Sequence, residues 1–147
     1  MEIERKFLIQ EIPFSLDKYH CRIIEQAYLN ISPVVRIRQD NDQFYLTYKS
    51  AGFLEREEYN LPLDKESYEH LRTKADGIIL TKKRYEIPIQ NNLVIELDIF
   101  EGFHQGLILA EVEFSSRSQA ESFTPPSWFG KDVTYCPEYC NSNLSKC

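Results

Sequence analysis

Hydrophobic and polar residues alternate along most of this chain, with the period of two that is typical of β-strands. Turn-forming residues separate several alternating segments, among them Ser32-Pro33 and Asp40-Asn41-Asp42. Because a pleated strand points successive side chains to opposite sides, most segments have one largely apolar and one largely charged face. The pattern predicts eight strands, over residues 2–9, 22–29, 34–39, 43–49, 54–61, 80–89, 93–100 and 108–114.

Two segments interrupt the strands with helical spacing. Residues 64–75 predict one helix, with Asp64 as its N-cap and Gly77 just past its C-terminal end. Residues 115–123 predict a second helix, which ends before Pro125-Pro126. The apolar stripe that is expected to pack the first helix on the outside of the sheet consists of Tyr68, Leu71 and Ala75.

The charged faces are sorted by strand. The first, seventh and eighth strands carry mainly carboxylates, and the third, fourth and sixth carry mainly Arg and Lys. One interpretation is a one-sided sheet with its charges in water. The other is a functional charged face, since paired carboxylates two positions apart repel by about 1 kcal/mol in water and favour a cation between them. Spacing alone leaves both interpretations open.

Length and composition indicate one ordinary globular domain over residues 1–147, with 42% hydrophobic and 27% charged residues. A net charge of −6 argues against a general nucleic-acid binder. The chain has no apolar run long enough to span a membrane, and its first residues are charged and unlike a secretion signal. A cytoplasmic protein without membrane or nucleic-acid partners is therefore expected.

The four cysteines, Cys21, Cys136, Cys140 and Cys147, show no C-x-x-C spacing. Reduced thiols close to the end of the chain are the favoured interpretation for the last three. A disulfide or a metal clip at Cys136 and Cys140 is the alternative.

Eight strands are enough to close a barrel. If the charged faces point inward, the interior becomes a channel with an acidic side and a basic side. Carboxylates are the hard oxygen ligands that suit Mg²⁺ or Mn²⁺. Clustered Arg and Lys suit a chain of phosphates, with Arg able to form paired hydrogen bonds. The combination predicts a metal-dependent site for a polyphosphate.

The charged motifs follow one another in a familiar order. Glu2-Ile3-Glu4-Arg5-Lys6 resembles an E-x-E-x-K signature, Arg36-Ile37-Arg38 an R-x-R motif, and Lys82-Lys83-Arg84-Tyr85 a K-x-R-Y motif. Glu96-Leu97-Asp98 and Glu111-Val112-Glu113 resemble two acidic strands. Together they resemble the CYTH superfamily, the triphosphate tunnel metalloenzymes, in order from residue 2 to residue 144.

The resemblance implies a mainly β fold, a closed eight-stranded antiparallel barrel with a polar, charged interior and a few helices outside. It implies a small-molecule triphosphate substrate and Mg²⁺ or Mn²⁺, with two ions expected. The chain looks most like the prokaryotic inorganic triphosphatases, which split tripolyphosphate into pyrophosphate and phosphate. A class IV-type adenylate cyclase, a thiamine or nucleoside triphosphatase, and a non-catalytic polyphosphate sensor are the alternatives.

The resemblance also implies roles for individual residues. Catalytic roles fall on Lys6, Glu4 and Glu113, with Lys6 assisting the leaving group. The residues expected to bind phosphate are Lys6, Arg36, Arg38, Lys49, Arg56, Lys82 and Arg84. The residues expected in or beside the metal site are Glu2, Glu4, Glu58, Glu96, Asp98, Glu111 and Glu113.

Some side chains have a simpler interpretation beside the functional one. Arg56 and Glu58 could pair with each other, Glu86 is expected to balance Lys82 or Arg84 on its own strand, and His104 is expected to be exposed in a turn. The chain departs from the family pattern in its last residues, so a terminal helix that closes one mouth of the tunnel is expected to be short or absent.

Overall fold

The computed structural model describes residues 1–146, which form one antiparallel sheet of nine strands and three α-helices. Short 3-10 turns lie at Gln90–Asn92, Gly102–His104 and Pro137–Tyr139. The helices are α1 (Lys65–Arg72), α2 (Arg117–Ser122) and α3 (Asn141–Leu144). The strands are β1 (Glu2–Leu8), β2 (His20–Asn30), β3 (Val34–Asp40), β4 (Gln43–Lys49), β5 (Glu55–Arg56), β6 (Glu58–Leu63), β7 (Asp76–Pro88), β8 (Val94–Glu101) and β9 (Ile108–Glu113).

The sheet curls into a nearly closed barrel, in the order β5-β1-β9-β8-β7-β2-β3-β4-β6. The barrel prediction is confirmed, but the predicted fifth strand is two strands, β5 and β6, separated by Glu57. β6 pairs with β4, with Lys49 opposite Glu58, and β5 pairs with β1, with Glu2 opposite Arg56. Because of this break, β6 pairs at one end of the sheet and β5 pairs at the other end. The two ends of the sheet therefore lie close together.

Helix α1 packs on the outside of the barrel, as predicted. The Asp64 side chain accepts a hydrogen bond from the Ser67 backbone N–H at 2.7 Å and caps the helix. The buried Tyr68 packs against Ala27 and Ile37, on the outer faces of β2 and β3. Burial of this stripe, rather than the short helix itself, holds α1 in place.

Gly77 does not end helix α1, because the helix already ends at Arg72. Gly77 lies in β7 with φ +69°, and a Cβ at this position would approach the Ser145 carbonyl oxygen to 2.1 Å. The next residue, Ile78, donates its backbone N–H to the same oxygen at 2.7 Å. The glycine therefore permits close contact between β7 and the end of the chain.

A second outer layer covers the other side of the barrel. α2 is capped by Ser116, whose side chain accepts from the Gln119 backbone N–H. Trp128 packs with Phe14 and Phe129 on this side, so the tryptophan is part of the outer apolar layer. The layer lies against the outward side chains of β1, β7, β8 and β9, and so leaves their inward side chains to the barrel interior.

The interior is polar over part of its length and apolar at one end. The inward faces continue from charged residues into Leu8, Leu80, Phe100 and Leu109, so the expected polar, charged interior gives way to apolar side chains at this end. Leu144 of α3 packs into the same cluster. The expected short terminal helix is thus present, four residues long, and its leucine completes the apolar end.

Two further expectations concern the end of the chain. His104 is half-buried rather than exposed, because its Nε2 lies 2.8 Å from the Leu144 carbonyl oxygen. Cys21, Cys136 and Cys140 are free thiols, and Cys147 lies outside the described residues. Within residues 1–146 no helix is long and apolar enough to cross a membrane.

Candidate active site

The barrel encloses a cavity of about 320 Å³ with a strongly polar lining. Its wall is built from the inward positions of every strand. Because side chains alternate between the two faces of a strand, most of these inward positions carry the charged residues of the pattern. Twelve of the residues singled out in the sequence line it together, namely Glu2, Glu4, Lys6, Arg36, Arg38, Lys49, Arg56, Glu58, Arg84, Glu96, Glu111 and Glu113. The charged faces therefore converge on one point inside the barrel instead of facing bulk water.

Arg36, Arg38 and Arg56 form what we call the arginine wall. Among the described residues none of the three makes a salt bridge to a carboxylate. The Nε atoms of Arg36 and Arg56 are buried and find no hydrogen-bond partner within residues 1–146. Buried donors without acceptors are costly, so this wall is prepared for an anion that enters the cavity.

Arg38 is held by Gln26, a residue that the sequence analysis did not select. The Arg38 Nε and Nη2 atoms donate to Gln26 Oε1 at 3.0 and 2.6 Å. Gln26 is fully buried and donates its Nε2 to the Tyr28 hydroxyl oxygen at 3.0 Å. In the sequence, the available signal was a polar amide within an alternating strand segment. Burial, followed by Arg36 and Arg84, lowers the pKa of Arg38 to about 9, so it remains a cation at neutral pH.

Glu2, Glu4, Glu111 and Glu113 form what we call the carboxylate wall, on the neighbouring strands β1 and β9. Glu4 lies opposite Glu113 in the strand register. Burial, followed by repulsion from Glu111 and Glu2, raises the pKa of Glu4 well above its ordinary value. Burial and the nearby carboxylates also raise the pKa of Glu113. The repulsion within this wall would be relieved by a cation.

Two lysines moderate the carboxylate wall. Lys49 Nζ lies 3.1 Å from Glu2 Oε1 and 3.3 Å from Glu58 Oε2. Lys6 Nζ lies 3.8 Å from Glu111 Oε1 and donates to the Tyr139 carbonyl oxygen at 3.2 Å. Although burial acts in the opposite direction, the carboxylates raise the pKa of Lys6, which stays an ammonium. Both lysines line the cavity beside the carboxylates that they contact.

Lys82 and Asp98 lie behind the cavity wall, and neither side chain is exposed. Asp98 accepts from Arg84 Nε at 2.7 Å and Nη2 at 2.8 Å, and Lys82 Nζ lies 2.8 Å from its Oδ2. Burial lowers the pKa of Lys82 to about 7, with Asp98 opposing the shift. The pair thus supports Arg84 from behind, while Arg84 itself lines the cavity.

Arg22 was also missed in the sequence, where it stands between Cys21 and Ile23 without a charged neighbour. It lines the cavity and pairs with Asp40, with Glu96 at 3.4 Å and with Glu86 at 3.0 Å. The expected partner of Glu86 was therefore wrong, since the cation comes from β2 and not from its own strand. Nor do Arg56 and Glu58 pair with each other in the described chain, because Glu58 bonds to Lys49.

The model of the CYTH domain family matches residues 1–132 of this sequence. The chain belongs to the CYTH family. An inorganic triphosphatase of Nitrosomonas europaea is 37% identical over 147 residues, which cover 98% of this chain and 96% of that protein. An inorganic triphosphatase of Acetivibrio thermocellus is 34% identical, with 99% of this chain and 93% of that protein covered.

Solved structures of similar fold agree with the barrel described above. A crystal structure of an inorganic triphosphatase superposes with a TM-score of 0.73 at 34% identity, covering all of this chain and 95% of that one. A Hippeastrum protein described as having a dominant triphosphatase activity superposes with a TM-score of 0.64 at 15% identity, over 82% of this chain and 83% of its own. The second likeness concerns the fold alone.

CYTH enzymes as a family depend on divalent metal ions, and the carboxylate wall fits such an ion. In the part of the chain that the structure describes, no three acidic, histidine or cysteine side chains stand close enough together to hold a metal as they are. The donors are nevertheless hard oxygens, and the buried Glu111 Oε1 atom has no hydrogen-bond partner within residues 1–146. This carboxylate oxygen, which lies 3.8 Å from the Lys6 ammonium and beside a repelled Glu4, is available as a ligand for a cation.

Proposed function

We propose that this protein hydrolyses inorganic triphosphate to pyrophosphate and phosphate in a divalent-metal-dependent reaction. The observation that carries the proposal is the composition of one cavity, in which guanidinium groups without a carboxylate partner among residues 1–146 face mutually repelling carboxylates. A triphosphate chain with its bound cation brings the opposite charges to both walls. The names of the two bacterial relatives support the same substrate.

In this proposal the substrate is gripped by Lys6, Lys49, Arg84 and the arginine wall. Guanidinium groups can bind phosphate oxygens in pairs and stay charged, and they stabilise the charge on the transferred phosphoryl group. Water attacks the terminal phosphorus atom, the bond to the bridging oxygen breaks, and pyrophosphate leaves. The Lys6 ammonium donates to the oxygen on which negative charge develops.

Glu2, Glu4, Glu111 and Glu113 would hold the metal, with Glu58 and Glu96 beside them. A bound Mg²⁺ or Mn²⁺ supplies charge neutralisation and a more acidic water, and we propose two ions. Asp98 would act from behind, since Arg84 and Lys82 already occupy both of its oxygens. Glu4 and Glu113, which lie opposite each other on β1 and β9, are the glutamates proposed to orient the attacking water.

The decisive experiment measures phosphate release from tripolyphosphate with Mg²⁺, with Mn²⁺ and with a chelator, beside ATP and thiamine triphosphate as competing substrates. We expect turnover to require metal and tripolyphosphate to give the highest kcat/KM. Cyclic product from ATP would favour the cyclase alternative. Tight binding of tripolyphosphate without turnover under either metal would favour a sensor. The proposal includes a single catalytic unit over residues 1–147, acting in the cytoplasm.

A further inference from the structure

The last turn of the chain forms part of the cavity wall. We call residues 137–145 the C-terminal segment, and it contributes Cys140, Asn141 and Ser142 to the lining. The segment is fixed at its end, because the Ser145 carbonyl accepts from Ile78 N and Leu144 is buried in the apolar end of the barrel. Side chains carried by this segment therefore have a defined position relative to the strands.

Asn141 of this segment meets Lys82, the buried lysine behind the wall. Lys82 Nζ donates to Asn141 Oδ1 at 3.2 Å. When Lys82 is an ammonium it can only donate, so the contact then fixes which end of the amide faces the lysine. The amide nitrogen Nδ2 makes no hydrogen bond to a residue between 1 and 146. Asn141 lines the cavity, and Lys82 has no exposed surface at all.

The positive charge of Lys82 makes the amide N–H groups of Asn141 stronger hydrogen-bond donors. Asp98 is bound by both Lys82 and Arg84, so the three buried side chains carry one net positive charge when all are ionised. A cation that donates to the oxygen of an amide polarises the amide and makes its N–H groups better donors. The result is a neutral side chain that offers polarised N–H groups at the surface of a cavity rich in cations.

We propose that Asn141 is a phosphate-binding residue, whose Nδ2 donates to a terminal oxygen of the triphosphate, and that Lys82 acts on the substrate through it. The inference rests on the proposed binding of triphosphate in this cavity. It reassigns Lys82 from a direct phosphate contact to a positioning residue. It also gives the C-terminal segment a part in recognition of the substrate and not only in closure of the barrel.

The test measures calorimetric binding of tripolyphosphate in the absence of divalent metal, so that turnover does not enter the result. Asn141→Ala is expected to weaken binding about tenfold, which is the usual loss for one hydrogen bond to a charged group. Asn141→Asp keeps an acceptor for Lys82 but presents a carboxylate to the phosphate, and a larger loss is expected. Asn141→Ser, with a hydroxyl donor, should fall between the native protein and Asn141→Ala.

Asn143→Ala is the matched control. Asn143 belongs to the same short helix, but its Nδ2 donates to the Pro137 carbonyl at 2.6 Å and it does not line the cavity. Its loss loosens the segment without removing a group that faces the substrate. We expect binding within about twofold of the native protein, and thermal unfolding of each variant checks that the fold is retained.

A double-mutant cycle tests the part played by Lys82. If the lysine acts through the amide, Lys82→Met weakens binding in the native background and has much less effect in the Asn141→Ala background. Fully additive losses would show that Lys82 meets phosphate by itself and would overturn its assignment. Unchanged binding in Asn141→Ala, or an equal loss in Asn143→Ala, would overturn the role of Asn141.

Different experimental results would contradict this inference and the proposed function. Hydrolysis by the native protein together with unchanged binding in Asn141→Ala removes the inference alone. Binding without hydrolysis, weakened in Asn141→Ala, removes the hydrolase and leaves the inference standing. Absence of both tripolyphosphate binding and metal-dependent hydrolysis in the native protein would contradict both.

Discussion

The two walls of the cavity differ in how their charges are compensated. In the arginine wall, Arg36 and Arg38 donate to the neutral side chains of Thr47 and Gln26, at distances of 2.6 to 3.4 Å. The carboxylate wall is instead moderated by Lys6 and Lys49, and Glu4 still keeps a raised pKa. One wall holds positive charge without a counter-ion, and the other holds negative charge that its lysines only partly balance.

The difference indicates that the two walls respond differently to pH and bind different ligands. Arginine keeps its charge across the physiological range, so the arginine wall is a permanent anion site. The carboxylates change protonation as the acidity of the solution changes, so the pH dependence of the protein resides mainly in their wall. The predictions below alter one wall while the other stays intact.

The largest effect is expected from Glu4→Gln, which removes the central charge of the carboxylate wall. Loss of a metal ligand should lower kcat about 1000-fold, since a bound metal supplies several kcal/mol of stabilisation in the transition state. Tripolyphosphate binding by the arginine wall should largely survive. Steady-state kinetics beside calorimetry checks both, with Glu66→Gln on the exposed face of α1 as control. Equal losses of binding and turnover would contradict a metal-holding role.

The next effect concerns Lys49, which lies between Glu2 and Glu58 with only 9% of its side chain exposed. Lys49→Met leaves buried carboxylates without their cation, and we expect about 3 kcal/mol of lost stability near neutral pH. The loss should shrink at acidic pH, where Glu2 is protonated and needs no partner. Denaturant unfolding at several pH values measures this, with the exposed Lys83→Met as control. A pH-independent loss would point to packing instead of charge.

On the opposite wall, Arg38→Ala removes a permanent cation and leaves the carboxylates untouched. Binding of tripolyphosphate should weaken by roughly 10- to 100-fold, the loss of hydrogen bonds to a charged group. Binding of monophosphate should change far less, because a single phosphate can use the remaining arginines. Arg72→Ala on the outer helix α1 is the matched control, since Arg72 bonds to Glu25 outside the cavity. Unchanged tripolyphosphate affinity would exclude Arg38 from the site.

The smallest effect is a stability difference in metal-free buffer. The folded protein raises the pKa of Glu4 above its unfolded value, so stability falls as the pH rises from the unfolded pKa through the folded pKa, and the loss persists at higher pH. Glu4→Gln cannot ionise and should melt higher than the native protein at alkaline pH, by about 3 °C for each kcal/mol. The difference should vanish below the unfolded pKa. A Tm that is lower at all pH values would contradict the repulsion within the carboxylate wall.

Alternation predicted most of the strands and the inward charges, because a pleat places every second side chain on one face whatever the fold around it. It did not predict where inward charges give way to Leu80 and Phe100, since parity does not report the position along the barrel. It also missed Gln26 and Arg22. Their partners, Arg38 and Glu86, come from neighbouring strands, and strand register is decided by the whole sheet.

The sequence by itself determined that this protein is a charged antiparallel barrel, because the period of two, the order of acidic and basic strands and the CYTH motifs are local properties of the chain. Only the tertiary structure decided which charges meet. Asp98 and Lys82 share the inward face with Arg84, yet they lie behind the wall because Arg84 and the C-terminal segment cover them. Pairing and burial depend on the distances between side chains of different strands, and the sequence of a single strand does not determine those distances.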